Sequence, residues 1–150
     1  MNAGGPGRQQ LEQLSAQLQE IEQGIQALQS EVETQRDRQS EIDEAIEAVE
    51  TLETEATVQV PLGGGAYVRA AVQDIDEVIV ELGGGYAAEQ PQDDAVDTLE
   101  GKKAALDDRI DELTGEIAEL ETEREQVERE AQHLQQQLQQ QVQQQLQPDE

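Results

Sequence analysis

The sequence predicts a mostly helical α+β protein: a long antiparallel two-helix coiled coil with two β-hairpins at the end distal to the chain termini. Three observations lead there. Apolar residues in the first and last thirds recur at steps of three and four. The middle third changes to β-branched runs punctuated by two glycine triplets. Aromatics are almost absent, with Tyr67 and Tyr86 alone, so apolar stripes rather than a large compact core must be buried.

The first helix is expected over 11–53, after a glycine-containing, flexible N-terminus at 1–10. Leu11, Leu14, Leu18, Ile21, Ile25, Leu28 and Val32 continue through Gln35 and Gln39 to Ile42, Ile46 and Val49 without a break in phase. That is a heptad seam. Gln35 and Gln39 are consecutive polar seam positions, which weaken packing but help fix register. Gly24 is a soft spot.

Residues 57–89 read as two hairpins. Val58, Val60 and Leu62 alternate onto one face of a first strand, and Val68, Ala70 and Val72 onto one face of a second. Gly63-Gly64-Gly65 joins them. The run Glu77 to Leu82, Gly83-Gly84-Gly85 and Tyr86 to Glu89 repeat the unit 20 residues later, sharing the string Leu-Gly-Gly-Gly. Each triplet is expected to make a three-residue loop able to take positive φ. Hairpins alone are marginal in water and leave unpaired edges, so these faces need partners.

The second helix is expected over 94–138. Its seam runs Val96, Leu99, Lys103, Leu106, Ile110, Leu113, Ile117, Leu120, Arg124, Val127, Ala131, Leu134 and Leu138. Steps of four then lead to Val142 and Leu146, a stutter that loosens the seam. Residues 139–150 form a Gln-rich C-terminal tip, and 132–147 contain 11 Gln.

Composition excludes several classes. There are 35 Asp plus Glu against 9 Lys plus Arg, a net charge of −26. Leu, Ile and Val number 14, 8 and 11, or 33 of 150 residues. That is just above the roughly 20% below which a highly charged chain stays disordered. The charge repels nucleic acid and anionic membrane surfaces, and no run approaches the ~20 apolar residues of a span. Met1 to Gln10 has no signal-peptide pattern, so a cytoplasmic location is expected. Acids are spread over all three segments, and Lys is confined to Lys102 and Lys103. Such a surface suits concentrated salt, where the screening length falls to ~3 Å at 1 M, although an acidic protein in ordinary cytosol has the same sign.

No catalytic, cofactor-binding or metal site is expected. Neither glycine triplet is followed by Lys-Ser/Thr, nor is Gly101-Lys102-Lys103. His133 is the one imidazole and there is no Cys. Asp107, Asp108, Asp111 and Glu112 lack the loop that a calcium site needs. Without an apolar cleft to separate carboxylate pKa values, they read as a solvated face and the chain as a non-enzyme.

The hairpin region, Val58-Gln-Val-Pro-Leu-Gly-Gly-Gly-Ala-Tyr-Val-Arg69 followed by Val78-Ile-Val-Glu-Leu-Gly-Gly-Gly-Tyr-Ala-Ala-Glu89, resembles that of archaeal prefoldin alpha subunits. The similarity extends to the Glu41–Ile46 and Asp107–Leu113 runs. The resemblance implies an ATP-independent chaperone without cofactor. Its heterohexamer of two alpha and four beta subunits has a β-barrel platform built from hairpins, and it binds unfolded clients at coiled-coil tips for transfer to a group II chaperonin. On that basis Leu11, Leu14, Leu18, Leu134, Leu138, Val142 and Leu146 are the expected client-binding tip. Val58, Val60, Leu62, Tyr67, Val68, Val78, Val80, Leu82 and Tyr86 are the expected subunit contacts. A coiled-coil tether that dimerises through its β end, without client binding, is the alternative.

Overall fold

The computed structural model describes residues 5–146. Residues 1–4 and 147–150, the outer parts of the expected flexible N-terminus and Gln-rich tip, lie outside the described residues. The order is α1 (Gly5–Thr51), β1 (Thr57–Gly63), β2 (Ala66–Ala71), β3 (Val78–Gly83), β4 (Tyr86–Gln90) and α2 (Gln92–Leu146). The described residues divide into two compact units: 5–33 with 111–146, and 34–110.

Unit 1 is a pair of helical segments joined by their seam. Leu14, Ile21, Ile25 and Val127 are buried together, with Leu18, Ile117, Leu120, Ala131 and Leu134 packed around them. Val32 and Leu113 are also buried. As numbers rise on α1, partners fall on α2: Leu138 lies against Gly7, Arg124 reaches Glu22, and Leu120 lies near Gly24. The segments are therefore antiparallel. α1 begins at Gly5, six residues before the first heptad leucine, so positions 5–10 of the segment expected to be flexible are helical. Pro6 falls in the first turn, where the missing N–H has no helical acceptor to lose. Gly7 permits a close approach, since a Cβ there would lie 2.5 Å from Leu138 Cδ2.

Unit 2 contains the adjoining helical segments and both hairpins. β1 pairs antiparallel with β2 and β3 with β4, as two separate two-stranded sheets. The links are shorter than the expected three-residue loops. Gly63 pairs with Ala66 and Gly83 with Tyr86, so Gly64-Gly65 and Gly84-Gly85 are the turns, each preceded by a register shift. All six glycines have positive φ, from 59° to 97°. Two successive positive φ values are what a type I′ turn requires and what matches strand twist. The extra residue at each register shift is the leucine before the triplet, Leu62 or Leu82, which has no partner opposite it.

The second hairpin has a core with the helices. Val80 is 5% exposed and Ala95 0%; with Leu99 they form a cluster flanked by Ile42, Ala45, Ile46, Val49 and Val78. Lys102 Nζ donates to the Glu81 carbonyl at 2.9 Å. The base of the first hairpin is closed by Glu55 N–H donating to the Val72 carbonyl at 2.7 Å, Val72 N–H to the Ala56 carbonyl at 2.9 Å and, just outside them, Ile75 N–H to Thr54 Oγ1 at 3.2 Å. Among the described residues, none of its side chains belongs to either buried cluster.

The ends of the helices at the strands are tied to each other. Gln92, the first residue of α2, donates from Nε2 to the carbonyls of Val49 at 2.6 Å and Leu52 at 3.2 Å, satisfying acceptors that the end of α1 leaves open. The Asp76 carboxylate accepts from Gln92 N–H at 3.4 Å, and Asp93 and Asp94 occupy the first turn of α2, where the helix dipole favours acids.

Leu113 is fully buried in the seam of unit 1. Leu113→Ala is expected to destabilise the chain by about 2–5 kcal/mol, read from the urea midpoint with an unchanged slope.

Candidate functional site

Two surfaces carry unpartnered apolar side chains, one in each unit. In unit 2 it is the hairpins. Val60 is 40% exposed and Leu62 67%, and Tyr67 and Val68 beside them are also open. Val58 is half-buried. Val60 lies opposite Val68, and Pro61 opposite Tyr67, so the first hairpin presents a continuous aliphatic face and a Pro–Tyr pair on the other side.

In the second hairpin, the residues assigned to subunit contacts divide. Leu82 and Tyr86 are exposed. Val78 and Val80 instead point into the chain's own core, against the roots of the helices. Alternation explains this: one face of β3 packs on α1 and α2, and the opposite face is free. Ile79 stands on that free face at 72% exposure and was not among the expected contacts. The signal was present in the uninterrupted Val78-Ile79-Val80 run, since a strand apolar on both faces is covered on both faces.

In unit 1 the expected tip residues also divide. Leu14 is buried, and Leu11, Leu18, Leu134 and Leu138 are half-buried in the seam. Val142 at 53% and Leu146 at 76% are exposed. The helix continues through the Gln-rich stretch to Leu146. Val142 and Leu146 therefore extend the stripe of Leu138 along α2, beyond the point where Leu138 covers Gly7.

Polar seam positions explain how the helices keep register. Gln39 donates from Nε2 to the Lys103 carbonyl at 3.2 Å and to Asp107 Oδ1. Lys103 pairs with Asp43 at 2.7 Å, and that carboxylate raises the lysine's pKa, chiefly through the hydrogen bond and then through charge. In unit 1 Arg124 pairs with Glu22 at 2.9 Å, and the hydrogen bond raises its pKa in the same way. Both pairs are substantially solvent-exposed, so they contribute orientation more than stability. Gln35 is a buried polar seam residue. Among the described residues, no group of three or more His, Cys, Asp or Glu is placed to hold a metal ion, and no helix is long and apolar enough to cross a membrane.

Paired antiparallel helical segments, a duplicated hairpin with open apolar faces and a second apolar stripe on α2 define a coiled-coil assembly subunit. Comparison with known proteins gives the particular kind. Residues 21–137 match the family model Prefoldin, described as "Prefoldin subunit". The chain is 55% identical to prefoldin subunit alpha of Haloarcula marismortui over 77% of its length and 75% of that protein's. It is 58% identical to prefoldin subunit alpha of Halorubrum lacusprofundi over 72% of its length and 71% of that protein's. Among solved structures it is similar to the cryo-EM structure of filamentous PFD from Methanocaldococcus jannaschii, with a TM-score of 0.52 and 26% identity, covering 78% of this chain and 93% of that one. The chain belongs to the prefoldin family, and the two relatives just given are alpha subunits of halophilic archaea. The family is a non-enzymatic chaperone component that works in oligomeric complexes.

The burial difference within the hairpins has a direct test. Val80→Lys is expected to lower the thermal midpoint of the isolated chain by several degrees, because it places a charge in the core with Ala95 and Leu99. Val60→Lys, on an open face, should leave that midpoint within about a degree, as followed by circular dichroism.

Proposed function

We propose that the chain is the alpha-type subunit of a cytoplasmic, ATP-independent holdase hexamer of two alpha and four beta subunits. The hairpins form a β-barrel platform by pairing their free strand edges with those of neighbouring subunits. Unfolded proteins are bound at the far ends of the helices and passed to a group II chaperonin. The observation that supports this most is the separation of exposed apolar residues into two groups. Val60, Leu62, Tyr67, Val68, Ile79, Leu82 and Tyr86 are on the hairpins, and Val142 and Leu146 are at the end of α2.

The two groups suit different work. Strand edges hydrogen-bond in a fixed register, so the hairpin surface favours permanent, specific partners. The α2 stripe is narrow, carries no pocket-forming backbone and contacts apolar groups without direction. One such stripe binds weakly. Several held on one platform raise the local concentration of sites, so a long unfolded chain is retained by many weak contacts. Release then requires no chemical step, since each contact can be exchanged singly for one on the chaperonin.

The filamentous assembly of the Methanocaldococcus jannaschii neighbour favours one further arrangement of the same surfaces, in which hairpin edges add copies in open series instead of closing. Particle mass separates the two. With a beta-type partner, a single hexamer mass is expected; masses increasing with concentration would support the open series.

Deleting residues 1–14 and 133–150 should leave the hexamer assembled and weaken suppression of aggregation of a denatured client, measured by light scattering. Undiminished suppression by the truncated hexamer would reject client binding at this chain's tip and leave it a tether. Val60→Lys should have the opposite effect, dissociating the hexamer while helicity is kept.

A further inference from the structure

The end of unit 1 that holds Gly7 and Leu138 differs from the rest of that unit in charge. The chain has 35 acids in 150 residues, yet none precedes Glu12 and none lies between Glu130 and Asp149; the other acid-free run of that length is the first hairpin, between Glu55 and Asp74. The two acid-free segments come together in the fold. Leu138 lies directly over Gly7, with the remaining described part of each segment on either side. Arg8 is the one charged side chain among the described residues of the two segments, and His133 lies within 3.3 Å of the Gln137 amide. Beyond Leu138, the exposed Val142 and Leu146 are surrounded by exposed glutamines rather than by the glutamates that flank the seam elsewhere.

The substitution of amide for carboxylate has a physical consequence. A carboxylate beside an apolar contact must be stripped of water when a partner docks, and it repels a partner of like charge. Concentrated salt screens the long-range part of that repulsion but leaves the contact and desolvation parts in place. A glutamine has neither penalty and keeps the helix soluble. A basic partner would have gained from carboxylates here, and the acidic faces of both helices already attract one. Omitting acids here spares any apolar partner the desolvation cost, and it removes like-charge repulsion as well for a partner that is itself acidic. This chain, at −26 over 150 residues, is an example of such a polypeptide.

We propose that the uncharged, glutamine-lined end of unit 1, centred on Leu138, Val142 and Leu146, is specialised for unfolded polypeptides of net negative charge. The proposal rests on the reading that clients bind at this end, and names their chemical class. Two unfolded probes of similar size and opposite charge test it, reduced α-lactalbumin (acidic) and reduced lysozyme (basic), with light scattering to follow their aggregation in molar KCl. The full chain, assembled with its partner subunits, is compared with the triple variant Gln136→Glu, Gln140→Glu, Gln143→Glu and with the matching triple Lys variant.

The Glu variant should need about tenfold more chaperone to halve aggregation of α-lactalbumin, with lysozyme protected as before. The Lys variant should keep its protection of α-lactalbumin. Equal protection of both clients by the Glu variant, or equal loss of both, would overturn the proposal and leave client binding at the tip intact. A Val142→Ser, Leu146→Ser variant addresses the underlying reading. Loss of protection toward both clients supports it, and unchanged protection of both removes it, together with the charge preference built on it.

Discussion

Burial of one narrow apolar seam is the constraint on which the rest of the structure depends. Each long helix has a single apolar stripe, and a helix of this kind gains most of its stability by covering that stripe rather than from propensity. Leu14, Ile21, Ile25 and Val127 in one unit, and Leu99 with Ile42 and Ile46 in the other, are the covered positions. Everything outside the seam is free to be acidic, which is how a chain of such charge folds with so few aliphatic residues. At three polar positions of the seam the side chains find partners across it: Gln39 with Lys103 and Asp107, Lys103 with Asp43, and Arg124 with Glu22. A shift by one heptad would separate these partners, so the polar positions specify an alignment that leucines alone would leave degenerate.

The duplicated hairpins are alike in sequence and unlike in situation. The second is anchored by Val80 on Ala95 and by the Lys102 bond to the Glu81 carbonyl, and therefore moves with the helices. The first is held by main-chain bonds near Glu55 and Val72 and keeps its aliphatic face open. A subunit interface built from both would thus join one hairpin already half-covered by its own helices to one whose aliphatic face is open.

Much of this was legible from residue spacing. Steps of three and four identify the seam because each buried position repeats with the helical turn, and glycine triplets identify the turns because positive φ excludes most other residues. What spacing could not reveal was any contact made once. Ala95 is fully buried, but a small residue next to Val96 carries no periodic signal; only the approach of Val80 explains it. The Gln92 bonds to Val49 and Leu52 join residues 40 or more positions apart through one ordinary amide. The assignment of Val78 and Val80 to outer contacts followed from treating each hairpin as a free sheet, whereas one is already half-covered by its own helices. At the tip, periodicity located Val142 and Leu146 as the continuation of the Leu138 stripe.

The Gln92 clasp has a consequence for how the chain accommodates its repeat. Because one side chain holds the end of α1 to the start of α2, everything between Leu52 and Gln92, which are 40 positions apart, is a closed excursion whose ends are fixed independently of its content. Closing a loop twice as long costs only about 0.6 kcal/mol more in chain entropy. A second 20-residue hairpin can therefore be inserted with little penalty at the clasp and no change in helix alignment. The number of strands a subunit offers its assembly is in this sense decoupled from the coiled coil that carries them.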